Sequence, residues 1–135
     1  MVFPLYAGLL VFLYIFLTAL VIRARLKNRV SLGAGGYEDL ERYIRAHGNF
    51  VETVPFALIL LLTLELQHAS IYLIHLLGLM LLIGRIVHPM TIIKAKYSVG
   101  KGRMIGMILT LSMILISGLA CLYFYFLSIM AALPV

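Results

Sequence analysis

The sequence predicts an all-α integral membrane protein, a bundle of four transmembrane helices. Apolar residues make up 64% of the 135 residues, and the mean hydropathy is +1.11. A soluble domain of this size needs a polar surface, which so little polar material cannot provide. The apolar residues form four long stretches, and no segment between them has the composition of a disordered linker. We therefore expect a single membrane domain over residues 1–135.

The basic residues indicate how the chain is oriented in the bilayer. Their positive charge is confined to two patches that are separated and flanked by apolar runs. The positive-inside rule produces this pattern when two loops lie on the cytoplasmic side, so both termini are expected on the outside. Nucleic-acid binding would require exposed aromatic residues among the basic ones or a recognition motif, and the sequence has neither. The first patch contains Arg23, Arg25, Lys27, Arg29, Arg42 and Arg45, and the second contains Arg85, Lys94, Lys96, Lys101 and Arg103.

The first two predicted spans are residues 4–22 and 46–66. Pro4 is tolerated in the first turn of a helix, and the first span would reach about 28 Å at 1.5 Å per residue. In the second span the continuous apolar part is too short to cross a bilayer. Counting back about 20 residues from its outer end reaches residue 46. Asn49 and Glu52 should therefore lie at hydrocarbon depth, with Arg45 near the edge.

The last two predicted spans are residues 70–87 and 103–133. Pro89 is expected to interrupt the third helix, because proline lacks the backbone donor that a helix interior needs. The second basic loop is then predicted at residues 91–101. Gly102 and Gly106 form a small-xxx-small step at the start of the fourth helix, which permits a close approach of another helix.

Arg45, Asn49 and Glu52 carry the strongest functional signal. Their spacing of four and three residues places them on one helix face, and ionisable groups at membrane depth usually face a partner or a water-filled cavity. Arginine binds carboxylates, the amide both donates and accepts, and Glu52 can accept an ammonium group. This pattern favours a site for an anionic or zwitterionic small molecule, with a structural polar network between helices as the alternative. By depth alone, the positive pocket could be completed by Arg25, Arg85, His88 and Arg103.

Other kinds of site find little support in the sequence. The four histidines lack metal-type spacing backed by cysteine or aspartate, so no metal is expected. Cys121 lies within an apolar stretch, where a packing role is favoured over a nucleophilic one. There is no Ser/His/Asp set, no phosphate-binding glycine loop and no carboxylate pair at hydrolytic spacing.

The run Arg45-Ala-His-Gly-Asn49-Phe-Val-Glu52-Thr-Val-Pro55, preceded by Glu41 and Arg42, resembles the second-helix signature of the MAPEG superfamily. These are membrane-associated proteins of eicosanoid and glutathione metabolism, such as the microsomal glutathione transferases. The resemblance extends over the whole chain and is greatest to the short bacterial members, in which an Arg-x-His-Gly-Asn-x-x-Glu run is typical. It implies a homotrimer in the inner membrane of a bacterium, with periplasmic termini and glutathione bound between subunits near the cytoplasmic side.

The resemblance also implies roles for individual residues. Arg103 is similar to the arginine that stabilises the thiolate of glutathione, and Arg25 resembles a basic residue at the end of the first helix, so both are the predicted catalytic residues. His88 stands where active relatives have a ligand-contacting tyrosine, and Ile92 where they have a second one. The predicted glutathione-binding residues are Arg45, His47, Asn49, Glu52, Arg85 and His88.

The resulting hypothesis is a membrane glutathione transferase or peroxidase-like enzyme of detoxification. It would conjugate the thiolate of glutathione to apolar electrophiles delivered from membrane lipid, and glutathione would be its ligand without any metal. The first alternative is a non-catalytic member that binds glutathione or lipid. The second is a small multidrug exporter, although exporters carry a glutamate in their first helix and this chain has no acidic or basic residue there before Arg23.

Overall fold

The computed structural model describes residues 1–94 and 100–132, and this part of the chain folds into four α-helices. They are α1 (Phe3–Asn28), α2 (Glu38–Leu66), α3 (Ile71–Lys94) and α4 (Lys101–Ala132). Each is long and apolar enough to cross a membrane. The prediction of an all-α membrane protein with four spanning helices is therefore confirmed. We call the end of the bundle where α1 and α3 finish and α2 and α4 start the basic end.

The helices extend beyond the predicted spans at the basic end. α1 continues through its charged segment to Asn28 and ends at Arg29, which has a left-handed backbone (φ 54°). The N–H of Val30 then donates to the carbonyl of Arg25 at 3.1 Å, which closes the last turn. Hydropathy marks where the apolar surface stops, whereas a helix ends only where its backbone groups find other partners.

The prediction that Pro89 interrupts the third helix is wrong, because α3 runs through Pro89 to Lys94. Residues 91–94, which were expected in the second basic loop, form its last turn. The start of α4 packs closely here, since a Cβ atom on Gly102 would lie 2.5 Å from Oγ1 of Thr91. This packing keeps the end of α3 helical despite the donor that proline removes. At the other end of the predicted loop, Lys101 already begins α4. Residues 95–99 of that loop, with Lys96, and the predicted end of the fourth span at residue 133 lie outside the described residues.

α3 and α4 also cross closely one turn deeper. A Cβ atom added to Gly106 would lie 2.7 Å from the carbonyl oxygen of Gly84 and 2.7 Å from Cβ of His88. The two backbones therefore approach each other directly, as small residues allow in membrane helices. Gly102 and Gly106 were expected to permit the close approach of another helix, and the contacts of both residues with α3 agree with that expectation.

The core lies where α2 contacts all three other helices, and much of the outer surface is apolar. Leu61 and Leu64 of α2 are fully buried, together with Leu77 of α3. In contrast, Phe12 is 72% and Tyr72 is 82% exposed. Large apolar side chains with such exposure fit a surface that faces lipid.

At the end opposite the basic end, Glu65 caps α1. α1 has no side-chain cap of its own, and the Glu65 carboxylate accepts the backbone N–H of Val2 through Oε1 and that of Phe3 through Oε2 at 2.9 Å. A carboxylate satisfies the first N–H groups of a helix and complements its dipole. Glu65 therefore joins the start of α1 to the end of α2.

We expect Glu65→Ala to loosen the first turn of α1 and to lower stability by about 1 kcal/mol, which is typical for the loss of a helix cap. Hydrogen–deuterium exchange of peptides from the start of α1, together with thermal unfolding in detergent, measures both effects. Glu41→Ala is the control, because Glu41 is exposed at the basic end. Equal exchange in the two variants would contradict the capping role.

Candidate functional site

A polar pocket opens between α2, α3 and α4 near the basic end, with a volume of about 190 Å³. α2 supplies most of its wall because residues three and four apart lie on the same face of a helix. The structure brings together here five of the eight predicted site residues. The lining consists of Ile44, Arg45, Gly48, Asn49 and Glu52 from α2, His88 and Ile92 from α3, and Arg103 from α4.

The charged side chains of the pocket are open to the outside of the single chain. Arg45, Glu52 and Arg103 are exposed, and within the described residues none of them forms an ion pair. Charged groups at membrane depth require a partner, because hydrocarbon does not solvate them. Since the described part of the chain supplies no ion pair for these three residues, a ligand, water or a second protein copy can serve as their partner.

His88 forms the inner wall of the pocket and is only 1% exposed. Its Nε2 atom has no hydrogen-bond partner in the described structure. A buried polar atom without a partner is costly, so native proteins usually satisfy it with a ligand or a bound water. His88 is therefore placed to contact whatever occupies the pocket.

Arg85 lies behind Asn49 and is not part of the lining. It is 1% exposed, and its Nη1 donates to Oδ1 of Asn49 at 2.7 Å and to Oγ1 of Thr53 at 3.0 Å. Its Nη2 donates to the carbonyl oxygen of Gly106 at 3.3 Å. The guanidinium thus connects α2, α3 and α4 at the back of the pocket.

Arg25 lies away from the pocket, at the end of α1. Its Nη1 donates to the carbonyl oxygens of Ser31 and Gly33 at 3.1 and 3.0 Å. It also borders a separate, mainly apolar groove of about 450 Å³ together with Ile22 and Leu26. Within one chain, Arg25 therefore stabilises the first loop.

His47 also points away from the pocket, towards α1. The Thr18 hydroxyl donates to the carbonyl of Tyr14 at 2.9 Å and lies 3.0 Å from Nε2 of His47. Because that hydroxyl has a single proton, it accepts from His47, which must then be protonated on Nε2. The ring of His47 packs against that of Tyr14 with centroids 5.4 Å apart.

Thr53 and the backbone carbonyl of Gly106 are two groups of this site that were not among the predicted residues. Thr53 follows Asn49 by four residues, so the spacing that joined Arg45, Asn49 and Glu52 also indicated Thr53. Nothing in the sequence indicates that a backbone carbonyl of α4 is an acceptor for Arg85.

Metal-ligating side chains do not come together in the described part of the chain. No group of three His, Cys, Asp or Glu side chains within residues 1–94 and 100–132 is arranged to hold an ion.

Known proteins resemble this chain in both sequence and membrane character. The sequence model of the MAPEG family matches residues 3–131. Inner membrane protein YecN of Escherichia coli strain K12 is 41% identical over 88 residues, which cover 65% of this chain and 67% of YecN. YecN of Escherichia coli O6:H1 strain CFT073 matches to the same extent. No solved structure matches significantly. Since the family match includes all four helices and nearly every residue, the chain belongs to the MAPEG family.

Proposed function

We propose that this protein binds glutathione and transfers it to apolar electrophiles that enter from the bilayer. The observation that carries the proposal is the pocket that joins Arg45, Asn49, Glu52, His88 and Arg103. Membership of the MAPEG family supports the choice of glutathione as the ligand.

The chemistry of the pocket suits this tripeptide. Glutathione has two carboxylates, an ammonium group, two peptide bonds and a thiol. The guanidinium groups of Arg45 and Arg103 suit its anionic groups, and Glu52 suits the ammonium. A purely anionic ligand such as phosphate would leave the Glu52 carboxylate without a partner. The mixture of charges therefore favours a zwitterionic ligand.

Conjugation requires the thiolate form of glutathione, because the thiolate is the nucleophile. The thiol loses its proton to water or buffer, and sulfur attacks the electrophilic carbon. With a chlorodinitrobenzene, the new S–C bond forms and chloride leaves. The guanidinium of Arg103 stabilises the negative sulfur, and no residue of the protein is covalently modified.

The same proposal includes a homotrimer in the inner membrane. The pocket of one chain has a volume of about 190 Å³, whereas small-molecule sites typically have roughly 300–1,000 Å³. The charged residues of the pocket are also exposed in the single chain. Arg25 and His47 lie on the α1 side of the same chain, away from this pocket. In a ring of identical subunits, two different surfaces of each subunit meet. A neighbouring copy would then bring its α1 side, with Arg25 and His47, to complete the pocket.

The experiment is to purify the protein in detergent and to measure its assembly, glutathione binding and turnover. Native mass spectrometry should give three chains per particle. Calorimetry should show saturable glutathione binding, and 1-chloro-2,4-dinitrobenzene should be conjugated faster than in empty micelles. An intact trimer that binds no glutathione at millimolar concentration would refute the proposal.

A second candidate function is non-catalytic glutathione binding. His88 and Ile92 form the α3 wall, and no tyrosine is among the described lining residues. A hydroxyl donor for the sulfur is therefore missing from this part of the pocket. Saturable binding without conjugation of any electrophile in a panel would favour this second function.

A further inference from the structure

Arg85 is the most completely buried charged residue in the described chain, and its contacts define the direction of a second side chain. We infer that Arg85 is a positioning residue that holds the amide of Asn49 with its amino group towards the pocket. Asn49 would then offer the ligand a hydrogen-bond donor, selecting a carboxylate or peptide carbonyl oxygen at this position. The inference rests on the proposed function for the identity of the ligand.

The direction of the amide follows from the chemistry of the guanidinium. Arginine has five N–H donors and no acceptor. The Asn49 atom that lies 2.7 Å from Nη1 of Arg85 must therefore be the carbonyl oxygen Oδ1. The amino nitrogen Nδ2 is the other branch of the same amide group and is not the atom bound by Arg85. Because Asn49 lines the pocket, Nδ2 is the amide atom that remains for a ligand there. A rotation of the amide by 180° would set two donors against each other in a buried place and lose the bond.

Neighbouring groups keep Arg85 in this position. The hydroxyl of Thr53 donates to the backbone carbonyl of Asn49 at 2.8 Å, so it is free to accept from Arg85 at 3.0 Å. The bond to Gly106 holds the other end of the guanidinium against α4. Contacts with α2 and α4 thus hold the guanidinium of Arg85 in place, and the guanidinium in turn orients the amide of Asn49 on α2.

This arrangement assigns different parts of a zwitterionic ligand to different residues. A fixed donor at Asn49 disfavours an ammonium group beside it, because both would present N–H bonds. The ammonium is expected at Glu52, and an oxygen of the ligand at Asn49. Arg85 therefore contributes to specificity without touching the ligand.

The first test is a double-mutant cycle on ligand-free protein with Arg85→Met, Asn49→Leu and the double variant. If the two side chains are coupled, the double variant should lose less thermal stability than the two single variants together, by about 4 °C or more. Ser117→Ala replaces Asn49→Leu in the control cycle. Like Arg85, Ser117 is buried, but it lies on α4 eleven positions, or about 16 Å, from Gly106, which is the α4 residue that Arg85 contacts. Arg85→Met and Ser117→Ala should be additive. Additivity of Arg85→Met with Asn49→Leu would overturn the inference.

The second test asks whether the amino group of Asn49 reaches the ligand. Asn49→Asp keeps an oxygen for Arg85 but adds charge, whereas Asn49→Leu adds no charge but loses the contact with Arg85. Both lack the amino group, so both should bind glutathione at least ten times more weakly by calorimetry, although Asn49→Asp should unfold no earlier than wild type. Wild-type affinity in either variant would overturn the donor role. If the wild-type protein binds no glutathione, the proposed function fails, while the double-mutant cycle still decides whether Arg85 orients Asn49.

Discussion

Arg103→Gln is expected to lower the rate of glutathione conjugation by about 100-fold or more, the usual effect of removing one group that stabilises developing or full negative charge in an active site. Arg103 is the α4 residue of the pocket, and its guanidinium has no ion-pair partner among the described residues. A guanidinium that is not engaged in an ion pair with the described residues can interact fully with a thiolate. Glutamine keeps much of the length and polarity of the side chain but removes the positive charge.

The measurement is kcat/KM for 1-chloro-2,4-dinitrobenzene at saturating glutathione, repeated over a range of pH. Without the guanidinium, the bound thiol should ionise at higher pH. The rising part of the plot of kcat/KM against pH should therefore shift to higher pH. Lys101→Gln is the matched control, because Lys101 starts the same helix, is exposed and does not line the pocket. An Arg103→Gln variant with unchanged activity and pH profile would exclude Arg103 as the residue that stabilises the thiolate.

The sequence predicts the polar face of α2 because helical periodicity relates Arg45, Asn49 and Glu52 within a single element. No knowledge of the neighbouring helices is needed for that step. Hydropathy likewise predicts the four spans, since the bilayer imposes both length and composition. These parts of the structure depend on local rules.

Arg25, His47 and Arg85 show where such rules stop. Depth in the predicted spans suggested Arg25 and Arg85, and the family resemblance suggested His47. The structure directs these side chains to the first loop, to the back of the pocket and to α1, respectively. Depth along the membrane normal follows from position in the sequence, but the rotation of each helix about its axis depends on packing against its neighbours. Pro89 was mispredicted for the same reason, because close packing of α4 on α3 outweighs the local tendency of proline to end a helix.

That packing makes Gly106 the position where a single methyl group should do most harm to the fold. The Cβ atom of an alanine would lie 2.7 Å from the Gly84 carbonyl and 2.9 Å from the backbone nitrogen of His88. Both are main-chain atoms, so no side-chain rotation relieves the contact and α3 must move away from α4. We expect Gly106→Ala to cost about 1–3 kcal/mol, the range for overpacked cores, and to weaken glutathione binding because His88 and Arg103 shift apart.

Gly118→Ala on the same helix is the matched control, since a Cβ atom there would have nothing within 4 Å. Alanine is the better helix former by about 1 kcal/mol, so this variant should be as stable as wild type or more stable. Thermal unfolding in detergent, with the fraction of monodisperse protein, compares the two. The same substitution in one helix should therefore have opposite effects, which separates packing at the crossing from helix propensity. If Gly106→Ala unfolded at the same temperature as Gly118→Ala, the direct backbone contact between α3 and α4 would be wrong, and with it the close approach that holds the Gly106 carbonyl within reach of Arg85.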